Sequence, residues 1–149
     1  AWLIKWFILI FIYMIIKEFI SETNKNQMIS TLLKYHKVGS VKLRYKSMKD
    51  YAHFDVDRGT LQLSTKYKSV KPNQIKDFLI TILHEIYHAM DAKKYGWKKF
   101  KEMYEREMNY QISQGKHQYR DNQFELEAEK FGQDNWKKWN NRFKKEGLI

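Results

Sequence analysis

Apolar and polar positions divide the chain of 149 residues into two unlike parts. Ala1 to Ile20 reads AWLIKWFILIFIYMIIKEFI, with an unbroken apolar run from Trp6 to Ile16 between Lys5 and Lys17. From Ser21 onward the apolar residues are periodic. Met28, Ile29, Leu32 and Leu33 fall at the three- and four-residue steps of an amphipathic helix over Ser21 to Lys34. Val41, Leu43 and Tyr45 then alternate with Lys42, Arg44 and Lys46, the period of a half-buried strand with a basic outer face. Ala52, Phe54 and Val56 alternate again, Asp57-Arg58-Gly59 supplies turn residues, and Leu61 and Leu63 continue beyond them, which predicts a hairpin. After Pro72 the chain reads as helix, broken at Gly96 and near Gly115.

Residues 1–20 therefore form a hydrophobic leader and residues 21–149 a single domain. Its twenty mostly apolar residues can just span a bilayer, with Lys5 snorkelling and Trp2 and Trp6 at the interface, so it is a candidate membrane anchor. Lys17-Glu18-Phe19-Ile20-Ser21 offers no small-x-small site for a signal peptidase. The chain opens on Ala1, which leaves Met14 and Met28 as alternative starts; a buried core helix is the remaining reading. The expected location is the cytoplasm, with the leader as the element that would attach the domain to a membrane.

Composition narrows the chemistry. No cysteine is present, which excludes disulfides, thiol nucleophiles, Cys-ligated zinc and iron–sulfur clusters. A metal site must use His and carboxylate. Lys and Arg number 28 against 17 Asp and Glu, a net charge of +11 that favours anionic partners, although 23 of the 28 are Lys in a chain rich in Ile, Asn, Tyr and Phe, the signature of AT-rich codons.

Between Pro72 and Tyr95, Ile75, Phe78, Leu79, Ile82, Leu83, Ile86 and Met90 mark the buried face of one long helix. Thr81, His84, His88 and Asp91 occupy a different stripe of it. His84-Glu85-Ile86-Tyr87-His88 matches H-E-x-x-H. Residues four apart on a helix project side by side, about 5–6 Å apart, so both imidazoles can bind one Zn²⁺. Glu85 follows the first of them and points to the metal's open side, the position of a general base toward bound water. Asp91, three residues after His88, is a candidate acceptor for that ring's free N–H.

A catalytic zinc needs three protein ligands and one open position. Ala89-Met90-Asp91-Ala92 lacks the glycine and third His of the metzincin arrangement, so the third ligand lies elsewhere. His117 is one candidate. The run Phe124-Glu125-Leu126-Glu127-Ala128-Glu129-Lys130-Phe131 is stronger: Phe124, Ala128 and Phe131 form an inward stripe, with Glu125 and Glu129 one turn apart beside it, and Glu127, on the opposite side of the helix from Glu125, is the runner-up ligand.

H-E-x-x-H followed by a helix bearing E-x-x-A-[D/N/E]-x-F resembles the gluzincin clan of zinc metallopeptidases, in particular its single-domain forms, the minigluzincins and the repressor-cleaving immunity proteases. The resemblance covers roughly residues 54–131. It implies a small α+β zincin-like metallopeptidase domain, with a short twisted sheet, then the active-site helix, then a helical C-terminal half. It also implies a protein or peptide substrate. In that alignment Glu125 is the third zinc ligand beside His84 and His88, Ala128 lets the two helices approach, and Glu129 supports a ligand histidine where the family usually has a shorter side chain. Tyr110, His117 and Tyr119 are candidate donors to the developing oxyanion. Leu61 to Tyr67 is the candidate edge strand for an extended substrate.

Two other functions compete. Trp97, Phe100 and Tyr104, and later Trp136, Trp139 and Phe143 among lysines, have the spacing of a stacking surface for single-stranded nucleic acid, or of ordinary helix packing. A basic module for nucleic acid or membrane with an incidental H-E-x-x-H is one alternative. An inactive zincin-like interaction protein is the other.

Overall fold

In the computed structural model, which describes residues 1–55 and 57–149 without the side chains of 15–18, the apolar leader is a helix, α1 (Trp2–Glu18). The inward position expected of Val56 and the flank expected of Lys17 lie outside the described residues. Side chains from Trp2 to Met14 are exposed, which overturns the reading of this segment as a buried core helix. No helix among the described residues is long and apolar enough to cross a membrane.

The body of the fold begins at Ser21, whose Oγ accepts the Asn24 N–H and caps α2 (Glu22–Tyr35). Met28, Ile29 and Leu32 are buried, as the periodicity requires, and Leu33 packs at the edge of the core. Lys25 is the exception on this face: fully buried, its ammonium donates to the carbonyls of Tyr67 at 2.8 Å and Lys68 at 2.6 Å and pairs with Glu22 at 2.7 Å. A buried charge is tolerated only when its donors are used. These contacts tie α2 to the chain that leaves the sheet.

That sheet has three strands in the order β1-β3-β2, where β1 is Lys42–Lys46, β2 is Ala52–Asp55 and β3 is Thr60–Ser64. β2 and β3 form the expected antiparallel hairpin, Asp55 opposite Thr60, with Gly59 at φ +57° completing the turn and Asp55 Oδ1 accepting the Arg58 N–H. β1 runs parallel to β3 on its other side. The expectation that Leu61–Tyr67 supplies a free edge is therefore wrong. β3 is the central strand, and the chain beyond it turns into a 3₁₀ helix (Thr65–Lys68). Leu61 and Leu63 are buried because β3 lies over the core, and β1 and β2 cover its two edges. β2 is the edge strand that packs against the next helix.

Pro72–Gln74 forms a 3₁₀ turn, closed by the Lys71 N–H on Gln74 Oε1 at 2.9 Å, and leads into α3 (Ile75–Tyr95). Gly96, at φ +78°, ends α3 and lets the chain turn into α4 (Trp97–Ser113). The residues after Gly115 lead to α5 (Gln123–Lys145), capped by Asn122 Oδ1 on the Phe124 N–H. Phe78, Leu79, Ile82, Leu83 and Ile86 of α3 form the centre of the core, with Trp139 and Phe143 of α5 closing one end. Those two aromatics are fully buried, so they are packing residues and offer no stacking surface.

α3 and α5 cross closely at Gly132, where an added Cβ would meet the Ile80 carbonyl oxygen at 2.8 Å. Ala128, fully buried one turn earlier, keeps the same seam narrow. Gly132→Val is expected to force the helices apart and cost about 1–3 kcal/mol, read as a Tm lower by roughly 3–10 °C. An unchanged Tm would mean that the seam has room to spare.

Candidate metal centre

The α3–α5 seam brings His84, His88 and Glu125 together. His84 and His88 are one turn apart on α3, with ring centroids 4.8 Å apart. Their Nε2 atoms are 3.1 Å from each other, and Glu125 Oε2 is 2.8 Å from that of His84 and 3.3 Å from that of His88. Ligand atoms around a tetrahedral ion with bonds of about 2.0–2.1 Å stand about 3.3 Å apart. The three atoms, at hydrogen-bond distances of 2.8–3.3 Å, are close to that spacing and could hold such an ion. Ligand atoms of His84, Glu85 and His88 also lie within 4.8 Å of one another, so Glu85 adjoins the two imidazoles. Of the two glutamates, Glu125 is the one in direct contact with both imidazoles.

The start of α5 is held where Glu125 needs it. Glu107 of α4 accepts the Gln123 N–H at 3.2 Å and the Gln111 side chain at 2.7 Å, and Phe100 of α4 packs its ring 5.5 Å from that of Phe124 and 6.3 Å from that of His88. Tyr104, one turn after Phe100, donates its hydroxyl to Glu125 Oε1 at 2.7 Å. Sequence reasoning placed Tyr104 only in an aromatic stripe; its polar tip at the end of an otherwise apolar α4 face was the signal of a second role. Glu129 Oε2 lies 3.2 Å from His84 Nδ1, on the side of the ring away from Glu125. A carboxylate there can accept the Nδ1–H, the tautomer in which Nε2 can serve as a ligand.

The electrostatics follow from burial and pairing. Burial pushes the Glu125 carboxyl up, but hydrogen bonds with His84 and His88, the His88 charge and the Tyr104 hydroxyl outweigh it and hold Glu125 well below the usual carboxylate range. Burial lowers the His84 pKa, and Glu125, Glu85 and Glu129 more than reverse this. Glu85, only 7% exposed, is pushed up by burial against the pull of His88 and His84. Burial and the adjacent Glu125 raise the Tyr104 phenol, which keeps it a hydrogen-bond donor.

Other expected residues are placed differently. Asp91 does not hold His88: His88 Nδ1 and Asp91 Oδ2 are both buried without a hydrogen-bond partner among the described residues. The His88 ring makes its contacts through Nε2, with His84 and Glu125, and Asp91 feels its charge without a hydrogen bond. Glu127 is exposed and accepts the Tyr87 hydroxyl at 3.4 Å on another side of α5. His117 accepts the backbone N–H groups of Tyr119 and Arg120 at 3.1 Å, which makes it a loop-building residue rather than a ligand. Of the three oxyanion candidates, Tyr119 is beside the centre, its ring 6.5 Å from that of Tyr104 and its phenol raised by burial and by Glu125. Tyr110 is exposed near the far end of α4.

A groove of about 900 Å³ runs between α2 and β1, lined by Ile29, Leu33, Val41 and Leu43. It is remote from the two histidines and gathers no comparable donor set, so side-chain chemistry rather than cavity size locates the site. Compared with family models, with curated proteins and with solved structures, the chain matches none.

Proposed function

We propose that residues 21–149 are a zincin-like domain of gluzincin type and that the protein is a zinc-dependent metallopeptidase. The observation that carries this reading is the convergence of His84 Nε2, His88 Nε2 and Glu125 Oε2 at 2.8–3.3 Å with Glu85 beside them. Two imidazoles and one carboxylate form a donor set that suits zinc and leaves a position open. When bound, Zn²⁺ supplies Lewis acidity, polarising a carbonyl and making water acidic near neutral pH.

The chain's own residues do the rest. Glu85 takes a proton from the attacking water onto its carboxylate and returns it to the departing amide nitrogen as the peptide bond breaks. Its burial favours the uptake, because the carboxyl form is stabilised there. Tyr104 holds Glu125 and Glu129 holds His84, so the ligands are oriented before substrate arrives. β2 is the strand available to an extended peptide: it pairs only with β3 among the described strands, packs against α3, and carries His53, whose charge acts on Glu85. Strand addition there would lay a substrate backbone along the site.

Elemental analysis and proteolysis together test the reading. The purified chain is expected to hold about one zinc, the single tetrahedral site of the donor set. Cleavage of a peptide library, followed by mass spectrometry, should stop on chelation and return with added zinc. A folded chain that binds no zinc would overturn the proposal, and one that binds zinc but cleaves nothing in the library would reduce it to a metal-binding protein.

A further inference from the structure

The metal centre leaves α1 unexplained. Its large apolar side chains from Trp2 to Met14 are all exposed, from 45% at Ile10 to 84% at Trp2, and Lys5 is the one charged residue among them. Positions 2 to 14 make more than three helical turns, so these side chains cover the whole circumference instead of one stripe. A protein groove or a second helix hides a single face. Hydrocarbon covers every face at once, and a helix satisfies its own backbone there.

Charge at the root of α1 agrees with a lipid partner. The chain enters the body at Ile20, whose N–H donates to the Val70 carbonyl at 2.7 Å. Around Val70, the stretch from Lys66 to Lys76 carries four lysines and no acidic residue. Lys66, Lys68 and Lys76 are exposed, although Lys66 also pairs with Asp77 at 3.5 Å, and Lys71 Nζ lies 5.5 Å from the centre of the Phe19 ring. Lysines placed where an apolar helix leaves a folded body meet anionic headgroups, each gaining about fivefold in binding. We propose that the chain docks on an anionic bilayer, with α1 buried in the hydrocarbon and Lys66, Lys68, Lys71 and Lys76 against the headgroups. His84 and His88 follow Ile75 by 9 and 13 residues along α3, about 14 and 20 Å at the helical rise. The two histidines therefore lie well along α3 from its lysine-bearing start.

Vesicle flotation of the full chain tests this, using phosphatidylcholine vesicles with and without phosphatidylglycerol. The chain is expected to float with the anionic vesicles. An Ile8→Asp/Phe11→Asp chain should stay behind, and Lys68→Gln/Lys76→Gln should lower partitioning by roughly tenfold or more. All four positions are exposed, so the thermal melting curve should be unchanged and serves as the folding control. A wild-type chain that does not float, or an α1 double variant that floats as well as wild type, would overturn the proposal. Equal binding to both kinds of vesicle would overturn the role of the lysines. A discrete oligomer that ignores vesicles and dissociates in the α1 variant would assign the helix to a second copy of the chain instead.

Discussion

A Glu85→Gln protein is expected to bind zinc as tightly as wild type and to lose peptide cleavage by about 10²–10⁴-fold, the range of a positioned general base. The substitution keeps the shape of a side chain that is 7% exposed, so the core beneath it is not disturbed. Glu85 is also not among the three atoms in mutual contact at 2.8–3.3 Å, so its removal leaves the donor set intact. What disappears is the carboxylate assigned to accept the water's proton and give it back. The loss should appear in kcat, because the amide can still hydrogen-bond a substrate but cannot take its proton. Glu85→Asp, with the carboxylate drawn back by one methylene, should fall between the two. Wild-type turnover by a zinc-loaded Glu85→Gln protein would remove Glu85 from the mechanism.

Glu125→Ala is expected to reduce zinc affinity by more than a hundredfold. Glu125 is the shared acceptor of the cluster, touching His84, His88 and the Tyr104 hydroxyl, and without it the proposed site would keep only two imidazoles as ligands. Glu129→Ala removes a supporting contact and should cost about 10–100-fold. Glu127→Ala should cost nothing, since that carboxylate meets Tyr87 on a different side of α5. Competition against a chelating dye would read all three affinities. Loss of zinc on Glu127→Ala with retention on Glu125→Ala would mean that α5 presents its other side to α3, and the assignment of the third ligand would fail.

Local periodicity carried much of the fold. The α2 stripe, the hairpin with Gly59 in its turn, and the long helices separated by Gly96 and the Gly115 region all appear where spacing puts them. Each depends on contacts within a few residues, which a linear pattern records directly. The order of the strands does not. Leu61 and Leu63 alternate as well in a central strand as in an edge strand, and the parallel pairing of β1 with β3 joins segments that nothing in their own patterns relates.

The same division runs through the candidate metal centre. His84 and His88 were legible because a step of four residues makes neighbours on any helix, whatever surrounds it. The sequence also limited any metal to His and carboxylate by lacking cysteine, and singled out α5 as a carrier of acidic side chains. Tertiary structure alone decided which carboxylate reaches the imidazoles, that Tyr104 holds it, and that Asp91 and His117 take no part. Those relations depend on how deeply α5 settles against α3, and the absence of a side chain at Gly132 opposite the Ile80 carbonyl governs that approach. Periodicity within one helix specifies which residues share a face; only packing between helices specifies what that face meets.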